Sequence, residues 1–157
     1  MRRWSHTLAV LLLTATTLST VGCKSRTVYH HYEHTAATGW EKDDTLFFHV
    51  PRQQQEAVLH EAVELRTNSR YPFLGISLIV KQTTLPSGVS RTDTLSCTLA
   101  DEDGNILGKG VNYYQHVFTL TNISLSEGDS VVIAIRHNMI RETLPGIADV
   151  GIRLSKL

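Results

Sequence analysis

The chain has 157 residues, with 15 Lys+Arg balanced by 15 Asp+Glu, and two cysteines. That balance offers no basic excess for nucleic acid, and the length suits one domain. A chain of this size buries about two thirds of its unfolded surface, enough for a core that does without disulfides.

At the N-terminus, Arg2 and Arg3 precede the apolar run 8–13, a Thr-rich stretch, and then Val21-Gly22-Cys23. This is the basic, apolar and small-residue order of a secretory signal. The apolar run is far shorter than the ~20 residues a spanning helix needs. Thr20-Val21-Gly22-Cys23 resembles a bacterial lipobox, with Thr20 where leucine is usual. Such a cysteine receives fatty acyl (palmitate-type) chains, and the signal is cut in front of it. Residues 1–22 are therefore expected to be a lipoprotein signal peptide and Cys23 the lipidation site. Each buried CH₂ of an acyl chain contributes about 0.8 kcal/mol to membrane binding, so a multiply acylated Cys23 anchors the chain without any other membrane element. Removing the signal takes Arg2 and Arg3 and no acid, leaving the mature chain slightly acidic.

Residues 23–38, rich in His and Thr, read as a lipid-anchored tether, and residues 39–157 as the folded domain. From Trp40 onward the apolar period is two. Alternation marks strands over 45–50 (Leu46, Phe48, Val50), 57–66 (Leu59, Val63, Leu65), 74–81 (Leu74, Ile76, Leu78, Val80), 91–100, 115–120, 130–137 (Val131, Ile133, Ile135) and 149–154 (Val150, Ile152, Leu154). Leu85-Pro86-Ser87-Gly88, Asp101-Glu102-Asp103-Gly104-Asn105, Ser126-Glu127-Gly128-Asp129 and Leu144-Pro145-Gly146 supply turn chemistry between them. Asn138–Thr143 has the composition for a single helical turn. The sum predicts an all-β fold, an antiparallel β-sandwich of about seven to eight strands.

Several motifs suggest chemistry and weigh against it on context. His30-His31-Tyr32-Glu33-His34 contains His-x-x-Glu-His, a zinc-protease pattern that works only on a helix with a third ligand. Here it lies beside the anchor with no helical amphipathicity, and a solvated tether or edge strand is expected instead. Asp101–Asn105 lacks the twelve-residue spacing of a calcium loop, and Asp-Gly between strands favours a turn. Cys97 alternates with Leu95 and Leu99 and is expected to be a buried thiol. Trp40, Tyr71, Phe73, Tyr113 and Tyr114 could line a sugar-binding face, although aromatic residues are also ordinary core. Asp44-Thr45-Leu46, Asp93-Thr94-Leu95 and Asp129-Ser130-Val131 resemble O-glycosylation acceptors of the Bacteroidota.

The ordered segments together resemble one family, the gliding-motility lipoprotein GldH of the Bacteroidota. They are Gly39-Trp40 with Asp43–Phe48, Val63–Asn68, Tyr71-Pro72-Phe73, Asp93-Thr94-Leu95, Leu99-Ala100-Asp101 with Gly104, and Leu107–Gly110. Asn138-Met139-Ile140-Arg141, Leu144–Ile147 and Asp149–Arg153 complete the set. The resemblance implies a non-enzymatic outer-membrane lipoprotein of the gliding or type IX secretion-linked envelope machinery. It brings no catalytic residues, no cofactor and no metal. Expected partners are the membrane, through Cys23, and other envelope proteins. Candidate partner-binding residues are Trp40, Arg66, Tyr71, Arg141 and Arg153. The arginines could hold a partner's carboxylates bidentately or pair internally with Asp93, Asp101 or Asp149. The rival reading is a glycan-binding lipoprotein of a polysaccharide-uptake system. No acid follows Cys23 until Glu33, which points to the periplasmic leaflet.

Overall fold

The computed structural model describes residues 26–157. The signal peptide and Cys23 lie outside the described residues. Eleven strands form in order: β1 (Thr27–His34), β2 (Trp40–Glu41), β3 (Leu46–Val50), β4 (Ala57–Thr67), β5 (Gly75–Leu85), β6 (Ser90–Thr98), β7 (Lys109–Gly110), β8 (Tyr114–Leu125), β9 (Ser130–His137), β10 (Thr143–Leu144) and β11 (Ile147–Lys156). One sheet runs β1-β11-β4-β8-β7 and the other β3-β9-β5-β6, with β10-β2 a small separate pair. All pairings are antiparallel.

The seven long strands expected from alternation are present, because each has an apolar side to bury. Leu46, Phe48 and Val50 of β3, Leu78 and Val80 of β5, and Ile133 and Ile135 of β9 face Val63 and Leu65 of β4 and Val150, Ile152 and Leu154 of β11 in one core. No helix forms among the described residues. The single helical turn expected over 138–143 is absent. Asn138 N–H donates to Ser77 O at 2.8 Å and Ser77 N–H donates to Met139 Sδ at 3.4 Å, which hold the segment as a bent loop against β5.

The chief difference lies in the segment read as a tether. From Thr27 it is strand β1, paired along its length with β11. It lies at the edge of the sheet, where Val28 and Tyr29 reach the core and the His and Glu residues that follow are polar. His-x-x-Glu-His is thus on an extended strand, where His30 and His34 stand roughly 13 Å apart. That geometry cannot bring both rings to one zinc ion, and His30 and His34 instead meet Glu64 and Asp149.

Strand direction gives the sandwich two poles. At one, Lys156 N–H donates to Arg26 O, and the loops 51–56, 86–89 and 126–129 gather. At the other lie the loops 68–74, 99–108, 111–113 and 138–142. The eleven residues of β4 separate the poles by roughly 35 Å. The first is the proximal pole, where β1 begins; the second is the distal pole.

Candidate interaction site

Cross-strand register aligns an unusual set of residues on the outer face of the five-stranded sheet. One row reads Tyr32, Gly151, Glu64, Val117, and the next reads His34, Asp149, Arg66, Gln115. Glu64 sits at the centre. Although it faces outward, only 2 % of its side chain is exposed, because its neighbours close over it. Arg153 Nε approaches Oε1 at 2.9 Å. His30 Nε2 lies 3.1 Å from Oε2, Gln115 Nε2 donates to the same oxygen at 2.7 Å, and Tyr32 Oη donates to it as well.

Tyr32 can reach Glu64 because residue 151 has no side chain. A Cβ there would come within 2.6 Å of the tyrosine ring. Burial, then the hydrogen bond to Glu64, raise the Tyr32 phenol to about 12, so it stays a donor. Arg66 stacks on the same ring at 4.0 Å, donates from Nε to Gln115 Oε1 at 3.3 Å, and lies 3.5 Å from Asp149. A guanidinium held by stacking and two acceptors is ordered rather than free to search for a partner.

The five residues expected to bind a partner therefore separate. Arg153 and Arg66 are paired internally, with Glu64 and Asp149. Trp40 is fully buried, donates from its indole to Asp44 O at 2.9 Å, and packs edge-on against His137. Its role is in the core. Tyr71 is half-buried, with its hydroxyl donating to Gly75 O at 2.9 Å and its ring edge-on to Phe73. It supports the loop 68–74, against which Gly146 packs at a left-handed φ of 84°. Arg141 is the exception: it is exposed and has no ion-pair or hydrogen-bond partner among the described residues.

The proposed alternatives for the acids resolve similarly. Asp93 pairs with Arg91 at 2.8 Å. Asp101 caps its own turn, accepting from the backbone N–H groups of Asp103 and Asn105 and from the Asn105 amide. Those hydrogen bonds, the Asn105 side chain first, lower its pKa. Its carboxylate is consumed by turn chemistry. Among the three Asp-Ser/Thr-apolar sites, Thr94 is exposed, while Thr45 and Ser130 are half-buried.

Two concave features remain. A cleft of about 570 Å³ at the distal end of the outer face is lined by His34, Asn68, Arg66, Arg70, Tyr113 and Asp149, among others. A groove of about 440 Å³ is formed by Phe73, Asn138, Met139, Ile140 and Arg141. Ile140 is 97 % exposed, the most exposed large apolar residue described. The five aromatic residues weighed as a sugar face form no common platform: Trp40 is buried, and only Tyr71 and Phe73 among them pair.

Cys97 is 3 % exposed, and burial alone pushes its thiol up to about 12. We expect iodoacetamide to leave Cys97 unmodified in the native protein at pH 8 and to alkylate it fully in urea. Rapid native alkylation would show that the core opens at β6.

Sequence reasoning missed the Glu64 centre and its donors His30, Tyr32 and Gln115. A signal was present: Glu61 and Glu64 interrupt the strand 57–67, whose central residues are otherwise apolar. An acid inside a buried strand must find donors, but the sequence does not say where.

The architecture defines the chain as an all-β protein, two antiparallel sheets packed on one core. It belongs to the GldH lipoprotein family, whose model matches residues 27–154. It is 30% identical over 154 residues to the gliding motility lipoprotein GldH of Flavobacterium johnsoniae, covering 94% of each chain. Among solved structures it is similar to a family 35 carbohydrate-binding module from Clostridium thermocellum, at 10% identity and a TM-score of 0.41 over 80% of this chain and 87% of that one. Xyl-CBM35, solved with a glucuronic acid-containing disaccharide, matches at the same identity and score over 83% and 88%.

Proposed function

We propose that this GldH-like lipoprotein is a non-catalytic interaction subunit of the gliding or type IX secretion-linked envelope machinery. It is held by lipid on Cys23 in the outer membrane and faces the periplasm. The observation that carries this reading is the length of chain between the anchor and the fold. Only residues 24–26 separate Cys23 from the first strand residue, Thr27. Four peptide steps span at most roughly 14 Å. The domain is therefore held close to the bilayer by its proximal pole and presents its distal pole and outer face to other components. The family itself supports the lipid anchor and the link to gliding. The absence of an acid between Cys23 and Glu33 supports the periplasmic leaflet.

A chromosomal Cys23→Ser substitution tests this. The protein is expected to leave the membrane fraction, and surface spreading or type IX cargo export to fail at unchanged protein level. Protease treatment of intact cells should spare the native domain. Undiminished export by the soluble form, or ready shaving of the domain, would refute the placement.

A further inference from the structure

We propose that the distal groove of Phe73, Met139, Ile140 and Arg141 is the docking site for a protein segment that presents an apolar side chain beside a carboxylate. This rests on the reading of the chain as a membrane-held interaction subunit.

Three observations lead here. First, Tyr71-Pro72-Phe73 and Asn138-Met139-Ile140-Arg141 are separated by more than sixty residues in sequence, yet both line this one groove or its support. Val63–Asn68 and Asp149–Arg153, by contrast, are taken up by strand pairing, the core and the Glu64 network. Phe73 and Met139 each keep one side on the core, whereas Ile140 and Arg141 have no such contact among the described residues. Burying Ile140 would gain nothing within the monomer, since it stands clear of every neighbour. An exposed aliphatic residue flanked by a half-buried Met and Phe is the composition of an interface centre, with Met able to repack around what enters.

Second, the position sets the groove apart from the point of anchoring. The groove lies at the distal pole, roughly 35 Å along the strands from where β1 begins. The link from Cys23 cannot span that distance. An apolar surface carried that far from its own membrane meets protein.

Third, the charge is one-sided. Among the described residues, Arg141 is the only charged one lining the groove and has no partner, while the adjacent Glu142 is turned to Lys42 at 3.9 Å. A partner's acid beside the inserted side chain would neutralise Arg141 with a bidentate pair. Such a pair at the rim of an apolar contact fixes orientation.

The test places the photocrosslinking residue p-benzoylphenylalanine at Ile140, and separately at Val117 on the outer face and Val89 in a proximal turn, in the full-length protein in its native cells. All three are exposed. The Ile140 probe is expected to join one envelope protein at a segment with Asp or Glu within a few residues of the adduct. Arg141→Glu should reduce the yield about tenfold, and exchanging that acid for Lys in the partner should restore it. Arg141→Glu should leave the unfolding midpoint unchanged, since Arg141 has no partner in the fold. Adducts only from Val117 or Val89 would overturn the groove while leaving the interaction-subunit reading intact. An Ile140 adduct to phospholipid, or to a segment indifferent to Arg141→Glu, would also overturn it. No adduct from any position would overturn both.

Discussion

Replacing Glu64 with alanine is expected to destabilise the domain by about 3 kcal/mol, a large fraction of what a domain of this size has to lose. The carboxylate receives Arg153, His30, Tyr32 and Gln115 while itself almost excluded from water. Removing it leaves an arginine and several polar groups clustered over a hole. Stripping one partner from a fully buried ion pair costs 3–5 kcal/mol, and the lower end applies because Arg153 and His30 are part-exposed and partly screened. Urea denaturation measures the loss. The effect should also be local. β1 is an edge strand whose side chains His30 and Tyr32 both meet β4 at Glu64, with Arg66 stacked on the Tyr32 ring as a second tie. Hydrogen exchange over 27–34 should therefore accelerate more than over β9. A loss below about 1 kcal/mol, the scale of an exposed pair, would mean that the network is a solvated surface cluster.

Glu61 should make stability fall as pH rises. It is wholly buried between the sheets, where Gln82 Nε2 donates to Oε2 at 2.7 Å and Oε1 has no partner. Burial, opposed by the Gln82 hydrogen bond and Arg91 and reinforced by Asp93, raises its pKa to about 7 from 4.5. Below pH 4.5 both folded and unfolded chains hold the proton, and Glu61 costs nothing. Between 4.5 and 7 the unfolded chain releases it first, so unfolding is favoured by about 1.4 kcal/mol per pH unit. By pH 8 the folded state has lost about 3 kcal/mol relative to pH 4 from this residue. Glu61→Gln keeps the size and removes the charge. One poorly matched amide group should leave the Gln form less stable by about 1 kcal/mol near pH 4, and urea midpoints should cross as pH rises, with the Gln form more stable by about 2 kcal/mol at pH 8. Parallel profiles would show that Glu61 is ionised in the fold.

These two acids, three residues apart on one strand, also mark how far the sequence could be read. Strict alternation fixed which side of β3, β5, β9 and β11 faces the core, because burying an apolar side chain is worth the same wherever its strand lies. Turn residues located the chain reversals at Gly104, Gly128 and Gly146, each with left-handed φ, where the chain passes from one sheet to another. Strand β1 was legible only as one of two alternatives, tether or edge strand, over residues 30–34. Only Val28 and Tyr29 give it an apolar contact with the core, and what makes it a strand is a sheet edge contributed by β11, more than a hundred residues away. Trp40 and Arg141 show the same division at the level of single residues. A tryptophan reads equally as core or contact, and it is the β2–β10 pair that closes over this one. Arginines read equally as paired or free. Arg66 and Arg153 find carboxylates through strand register, while Arg141 is on a loop whose own acid, Glu142, is turned to Lys42.

By itself, then, the sequence determined the sandwich class, the buried Cys97, the expected lipid site and the family, since each depends on local pattern or on the order of short segments. Only the tertiary structure decided that Glu64 closes an outer-face network through Gly151, that Glu61 lies in the core with Gln82 as its donor, and that Phe73 and Ile140 share a groove at the pole away from the anchor. Those are meetings of residues distant along the chain, and they are set by which strands pair and in what register.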